Sequence, residues 1–153
     1  TGLVLTRQNL PTYDRKALGM AAAAEASKGG YVLTEDNDFK VLLIASGSEV
    51  EIVMGAKALL NQQGIGVRVV SMPSTDAFDR QPATYRESVL PARCKARVAV
   101  EAGATLGWYK YVGTEGIVVG LDHFGASAPY EQLFEKFGLT ADHVAQQARK
   151  LIQ

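Results

Sequence analysis

Four short runs in this sequence, Val41 to Ala45, Val67 to Ser71, Arg97 to Val100 and Ile117 to Gly120, are almost wholly apolar. A strand with one face in water alternates apolar and polar residues. A strand without that alternation must be covered on both faces, which is the condition of a parallel sheet between two helical layers. The spacing supplies the covering helices. After Val41 to Ala45, Ser48 and Glu51 match a capping box, and Val50, Val53, Ala56 and Leu60 recur at helical period with Ile52 and Leu59 widening the stripe. Gly64 can end that helix in a left-handed turn. Strand, capped helix, glycine and strand make one βαβ unit, and the chain reads as α/β layering.

The remaining elements are expected as follows. Leu3 to Thr6 and Tyr31 to Leu33 are further strand candidates. Gln8 to Gly30 reads as a linker-like segment, partly helical through Ala21 to Ala26. Ser71 to Phe78 is a loop, and Asp79 caps a short helix that runs through Tyr85 and Val89 to Pro91. Ser127 caps a helix with Pro129 in its first turn that stops at Gly138. Thr140 caps the last helix, whose stripe is Val144, Ala148, Leu151 and Ile152.

At 153 residues the chain suits one domain spanning 1–153. Sixteen basic and sixteen acidic side chains cancel, so nothing recommends nucleic acid as a partner. The apolar runs are too short to span a bilayer, and the first residues have no charged start or long apolar core of a signal peptide. A chain that begins without Met in a strand-like run is expected to be a domain of a longer polypeptide. The single Cys94 leaves no internal disulfide and points to a reducing, cytoplasmic setting.

Ligands of such folds bind at the carboxyl ends of parallel strands. Three loops fall there: Ser46 to Glu49, Glu101 to Gly103 and Phe124 to Ser127. The first opens a helix, where backbone amides favour an anion; Glu49 and Glu51 already place negative charge there, so the structural cap is preferred. No glycine-rich dinucleotide or P-loop signature occurs. His143 reads as solvated. His123 follows Asp122 at a strand end, without a neighbouring nucleophile. Two separated histidines do not suggest a metal centre. Basic neighbours of Cys94 would lower its thiol pKa, but with no nearby His it reads as structural. Trp108, Tyr109 and Tyr111 form an aromatic cluster suited to packing or an interface. Arg7, at a strand end, presents a fork of donors suited to phosphate or carboxylate, or is an ordinary exposed arginine.

Thr6-Arg7-Gln8-Asn9-Leu10-Pro11 resembles the start of the transketolase C-terminal domain. The resemblance continues in order through Gly29-Gly30-Tyr31-Val32-Leu33, Ala45-Ser46-Gly47-Ser48-Glu49-Val50 and Val70-Ser71-Met72-Pro73. It includes Phe78-Asp79 with Gln81, Tyr85-Arg86, Val100-Glu101-Ala102, Trp108 to Gly113 and Phe124 to Pro129, so it covers essentially the whole chain. It implies a three-layer α/β/α sandwich with a mixed, mostly parallel sheet whose first strand is antiparallel, a place given to Leu3 to Thr6. It implies that Arg7 contacts the phosphate of a sugar-phosphate substrate in an enzyme that moves a two-carbon ketol unit from a ketose phosphate to an aldose phosphate. It also implies that thiamine diphosphate and Mg2+ or Ca2+ are held by preceding domains of the same polypeptide, in a homodimer. No Gly-Asp-Gly motif occurs in this chain, so no catalytic, cofactor or metal residue is carried over, and the isolated chain is expected to be inactive. The alternatives are a structural or dimerisation module, or a regulatory anion-binding module using Ser46 to Glu49.

Overall fold

The computed structural model describes residue 6 and residues 8–152. Five strands form one sheet: β1 (Tyr31–Glu35), β2 (Phe39–Ala45), β3 (Gly66–Ser71), β4 (Arg97–Val100) and β5 (Ile117–Val119). Their spatial order is β1-β3-β2-β4-β5. The four apolar runs are the four parallel strands, and β1 pairs antiparallel with β3 at one edge. The first described strand is therefore the antiparallel one. Of Leu3 to Thr6, only Thr6 lies within the described residues, and it is not in a strand.

The absence of alternation in β2 has its expected cause. Val41, Leu43 and Ala45 belong to the core under α1 (Glu49–Asn61) and α6 (Ala141–Lys150). Leu42 and Ile44 belong to a second core on the opposite face. There Phe78, Val89, Leu90, Trp108 and Tyr111 come from α2 (Thr75–Asp79), α3 (Ala83–Val89), α4 (Tyr109–Val112) and their flanks. Each fully buried aliphatic side chain contributes about 1.5–3 kcal/mol, so both helical layers are held by the same few strands.

Helix entries depart from expectation in four places. Ser48 precedes α1 with helical backbone angles and makes no side-chain cap; its hydroxyl donates to Glu49 Oε1 at 3.1 Å. An N-cap needs an extended backbone to aim its oxygen at the first-turn amides, and Ser48 lacks one. Ser74 does have an extended backbone and caps α2, accepting from the Ala77 amide at 3.3 Å. The expected loop thus contains a helical turn. Asp79 ends α2 instead of opening α3; its carboxylate accepts from Lys110 Nζ at 2.6 Å and from the Tyr111 hydroxyl at 3.1 Å. Pro129, not Ser127, stands at the entry of α5 (Tyr130–Phe137), because its fixed φ supplies the turn without a side-chain cap. Thr140 caps α6 as expected, accepting from the His143 amide at 3.3 Å. The short helix near the start is a 3-10 turn over Ala23–Lys28. Met20 and Ala21 pack on the core, and the Ala21 amide donates to the Leu33 carbonyl at 2.9 Å.

Candidate functional site at the carboxyl edge of the sheet

β2 is flanked by β3 on one side and β4 on the other, and the chain leaves β2 and β4 towards opposite helical layers. The loops after those two strands therefore diverge and open the crevice where such sheets hold ligands. Ser46, after β2, donates its hydroxyl to Glu101 Oε2, after β4, at 2.7 Å. Glu49, the first residue of α1, is only 4% exposed. Burial pushes its carboxyl above the ordinary carboxylate range; its own amide pulls it back, and the neighbouring Glu101 pushes it further up. The helix N-terminus that would attract a phosphate thus already carries two carboxylates. The structural reading of Ser46 to Glu49 is favoured over an anion site.

The sign of this shift gives a test. A carboxyl raised in the fold binds protons more tightly there than in the unfolded chain. Its contribution is fully present below the ordinary value of 4.5 and is lost as pH rises through the raised value. Glu49→Gln, which mimics the protonated form, should match the parent near pH 4.5 and exceed it increasingly towards pH 7. Thermal unfolding at three pH values measures this. A difference independent of pH contradicts the buried-carboxylate account.

A cleft of about 300 Å3 lies where Leu10, Tyr13 and Arg15 approach Gly47 and Ser48. Arg15 is engaged in it, donating from one guanidinium nitrogen to the Ala21 carbonyl at 3.0 Å and to the Tyr31 hydroxyl at 3.1 Å. Arg7, the one substrate-contact residue expected from the sequence, lies outside the described residues.

The second part of the edge follows β4 and β5. Asp122 accepts from the Thr105 amide at 2.9 Å and the Thr105 hydroxyl at 2.7 Å. Those bonds hold its carboxyl below the ordinary range, the amide being the larger cause. His123 is exposed, its Nδ1 lies 2.8 Å from the Phe124 carbonyl, and its ring packs edge-on to Phe137 with centroids 4.9 Å apart. Asp122 and His123 thus meet different neighbours and do not form a base with its orienting acid. His143 sits on α6 within 3.2 Å of the Gln147 side chain.

Cys94 is buried, and burial outweighs Arg97, Arg93 and Arg68 to push its thiol up. The possibility of a lowered thiol is corrected by that desolvation. The aromatic trio divides: Trp108 and Tyr111 are core residues, whereas Tyr109 is 52% exposed. Burial and then the Asp79 carboxylate push the Tyr111 hydroxyl up to about 12.

Three arrangements were not foreseen. The Ser46–Glu101 bond joins loops that are distant in sequence, with a carboxylate just after a buried strand as its only trace. The Thr105–Asp122 clamp has the same cause. Arg68, inside β3, pairs with Glu35 at the sheet edge, lies over the Phe39 ring at 4.4 Å, and donates to the Ser88 carbonyl at 2.7 Å. Its signal was the one charge inside an apolar run.

Together these features define an open, two-faced α/β domain with a polar carboxyl edge. Among the described residues, no three His, Cys, Asp or Glu side chains gather in a way that could hold a metal ion. Comparison with known proteins gives the family. The model of the transketolase-like C-terminal domain matches residues 29–140. Transketolase 1 of Escherichia coli is 52% identical over 153 residues, covering 99% of this chain and 23% of that protein. Transketolase 1 of Pasteurella multocida is 50% identical over 156 residues, with the same coverage. A crystal structure of the Pichia stipitis transketolase superposes with a TM-score of 0.85 at 37% identity, covering 95% of this chain and 20% of that one. The chain belongs to the transketolase C-terminal domain family. It spans about a quarter of the length of the curated relatives it matches.

Proposed function

We propose that this chain is the C-terminal domain, over residues 1–153 with 8–30 as a connecting segment, of a ketol transferase. The whole enzyme would move a two-carbon unit from a ketose phosphate to an aldose phosphate in the cytoplasm, as a homodimer. The observation that carries this reading is the match at about half identity over nearly the entire chain to proteins named transketolase. A related Pichia stipitis structure is described as a complex with sedoheptulose 7-phosphate, in keeping with a sugar-phosphate substrate.

The family implies thiamine diphosphate with a divalent ion, which would supply the carbanion chemistry. The residues described here do not fit that group. The sequence has no Gly-Asp-Gly, no metal-holding cluster occurs among the described residues, and Glu49 with Glu101 would repel a diphosphate at the α1 N-terminus. We assign the cofactor to the preceding domains and no catalytic step to this chain.

The share proposed for this domain is orientation. Arg7, in Thr6-Arg7-Gln8-Asn9, would grip the substrate phosphate far from the reacting carbons, and such remote binding energy serves positioning. In the enzyme containing this domain, Arg7→Ala should lower kcat/KM for phosphorylated donors by roughly 2–3 kcal/mol, the scale of a charged hydrogen bond. An unphosphorylated donor such as erythrulose should lose far less. Equal losses on both donors would remove the phosphate role. The alternative of a regulatory anion module has the Glu49–Glu101 pair against it.

A further inference from the structure

We propose that the cleft between the segment after Leu10 and the start of α1 binds a small aliphatic α-amino acid, its carboxylate held by Arg15 and its ammonium group by Glu51. The proposal goes beyond ketol transfer and does not depend on it. The cleft has a volume of about 300 Å3, at the small end of the range that ligand sites occupy. Its lining reaches the core. Tyr31 and Leu33 line it from β1 and are only 3% and 2% exposed. Tyr31 stands opposite Ser71 in the pairing of β1 with β3, and Ser71 lines the cleft too. Leu10, Pro11 and Val50 add apolar surface.

Two charged side chains share this space. Arg15 is fixed from one side: its Nη1 donates to the Ala21 carbonyl at 3.0 Å and to the Tyr31 hydroxyl at 3.1 Å. Its Nε and Nη2 have no hydrogen-bond partner among the described residues. Those two nitrogens form the edge by which a guanidinium grips both oxygens of a carboxylate. A guanidinium already held by its third nitrogen loses little further freedom on binding. Glu51, in the first turn of α1, is exposed and joins no ion pair among the described residues. Burial and then the Glu51 carboxylate hold the Tyr13 hydroxyl above its ordinary value, so Glu51 acts on the Tyr13 side of the cleft. Arg15 and Glu51 thus line one cleft without pairing with each other, which leaves a gap between opposite charges.

That gap selects the ligand. A bare anion such as a sugar phosphate would meet the Glu51 carboxylate, and a bare amine would meet the Arg15 guanidinium. A zwitterion satisfies both, and a few polar groups in an otherwise apolar site are what fix a ligand's orientation. Leu10, Pro11, Leu33 and Val50 suit an aliphatic side chain over a polar one.

Titration of the 153-residue chain with L-leucine, followed by backbone amide shifts, tests the proposal. Amides of Tyr13, Arg15, Gly47 and Glu51 should shift together, with a Kd on the order of 1 mM. 4-Methylpentanoate, which lacks the ammonium group, and 3-methylbutylamine, which lacks the carboxylate, should each bind about tenfold more weakly. Glu51→Gln should weaken leucine by a similar factor and leave 4-methylpentanoate no weaker. Arg15→Gln should weaken both. Arg15 also holds Tyr31, so if that variant fails to fold, Glu51→Gln and the two analogues still decide. The proposal is overturned by no shift at about 50 mM leucine, or by 4-methylpentanoate binding as tightly as leucine. Inorganic phosphate or xylulose 5-phosphate moving the same amides at lower concentration than leucine also overturns it, because the site is then an anion site. Arg7→Ala kinetics test the enzymatic reading separately, so failure of one is distinguishable from failure of the other.

Discussion

Replacing Arg97 with alanine should destabilise the domain by about 4 kcal/mol, because several hydrogen bonds from one charged group are lost together and buried carbonyls are left bare. The guanidinium at the start of β4 donates to the Cys94 carbonyl at 2.8 Å, Tyr111 at 2.7 Å, Pro91 at 2.9 Å and Leu90 at 3.2 Å. Those carbonyls lie at the end of α3, in the turn before β4 and in α4, so one side chain joins the second helical layer to the sheet. Burial lowers its pKa, but an arginine stays charged at any pH at which the protein folds. Arg97→Lys should recover only part of the loss, since a single ammonium cannot reach a fork of acceptors in a fixed plane. Urea unfolding of the three proteins measures the effect. A loss under 1 kcal/mol for Arg97→Ala would mean that water replaces the guanidinium at those carbonyls.

Gly29→Ala should cost about 3–5 kcal/mol, combining left-handed backbone strain with overpacking. Gly29 has φ 82°, and a Cβ there would stand 2.3 Å from the Phe78 amide nitrogen and 2.5 Å from the Ser74 carbonyl oxygen. Both are backbone atoms of α2 and its cap, so no rotamer change relieves the overlap. The approach is fixed because the Ser74 amide donates to the Gly29 carbonyl at 2.9 Å. Gly19→Ala is the control, with φ 62° and nothing within 4 Å of the added carbon. Thermal unfolding should separate the two by the steric part alone. Equal losses would show that α2 yields at the contact.

What the sequence disclosed and what it concealed follow from where each feature is decided. Val41 to Ala45 and its three companions were legible because burial on both faces removes alternation from the residues themselves. The α1 stripe and the Thr140 cap were legible for the same local reason. The direction of Tyr31–Glu35 was not, since pairing antiparallel with β3 is settled by the chain path. Ser48 misled because the Ser-x-x-Glu pattern says which groups could bond and not whether the backbone before the helix is extended. Ser74 was hidden behind Pro73, and Asp79 answers to Lys110 and Tyr111, some thirty residues on. In the candidate site, Glu101 and Asp122 were visible as residues, but their partners Ser46 and Thr105 come from other loops. The aromatic trio divided because helical geometry turned Trp108 and Tyr111 inward and Tyr109 outward.

The most direct measurement of the central claim is ketol transfer from xylulose 5-phosphate to ribose 5-phosphate, with thiamine diphosphate and magnesium supplied. It is run side by side on the purified 153-residue chain and on the longer polypeptide that contains it. Turnover in the longer polypeptide alone is the predicted result, with this domain orienting substrate for chemistry performed elsewhere. Turnover in the isolated chain, or none in the longer polypeptide, would contradict the account.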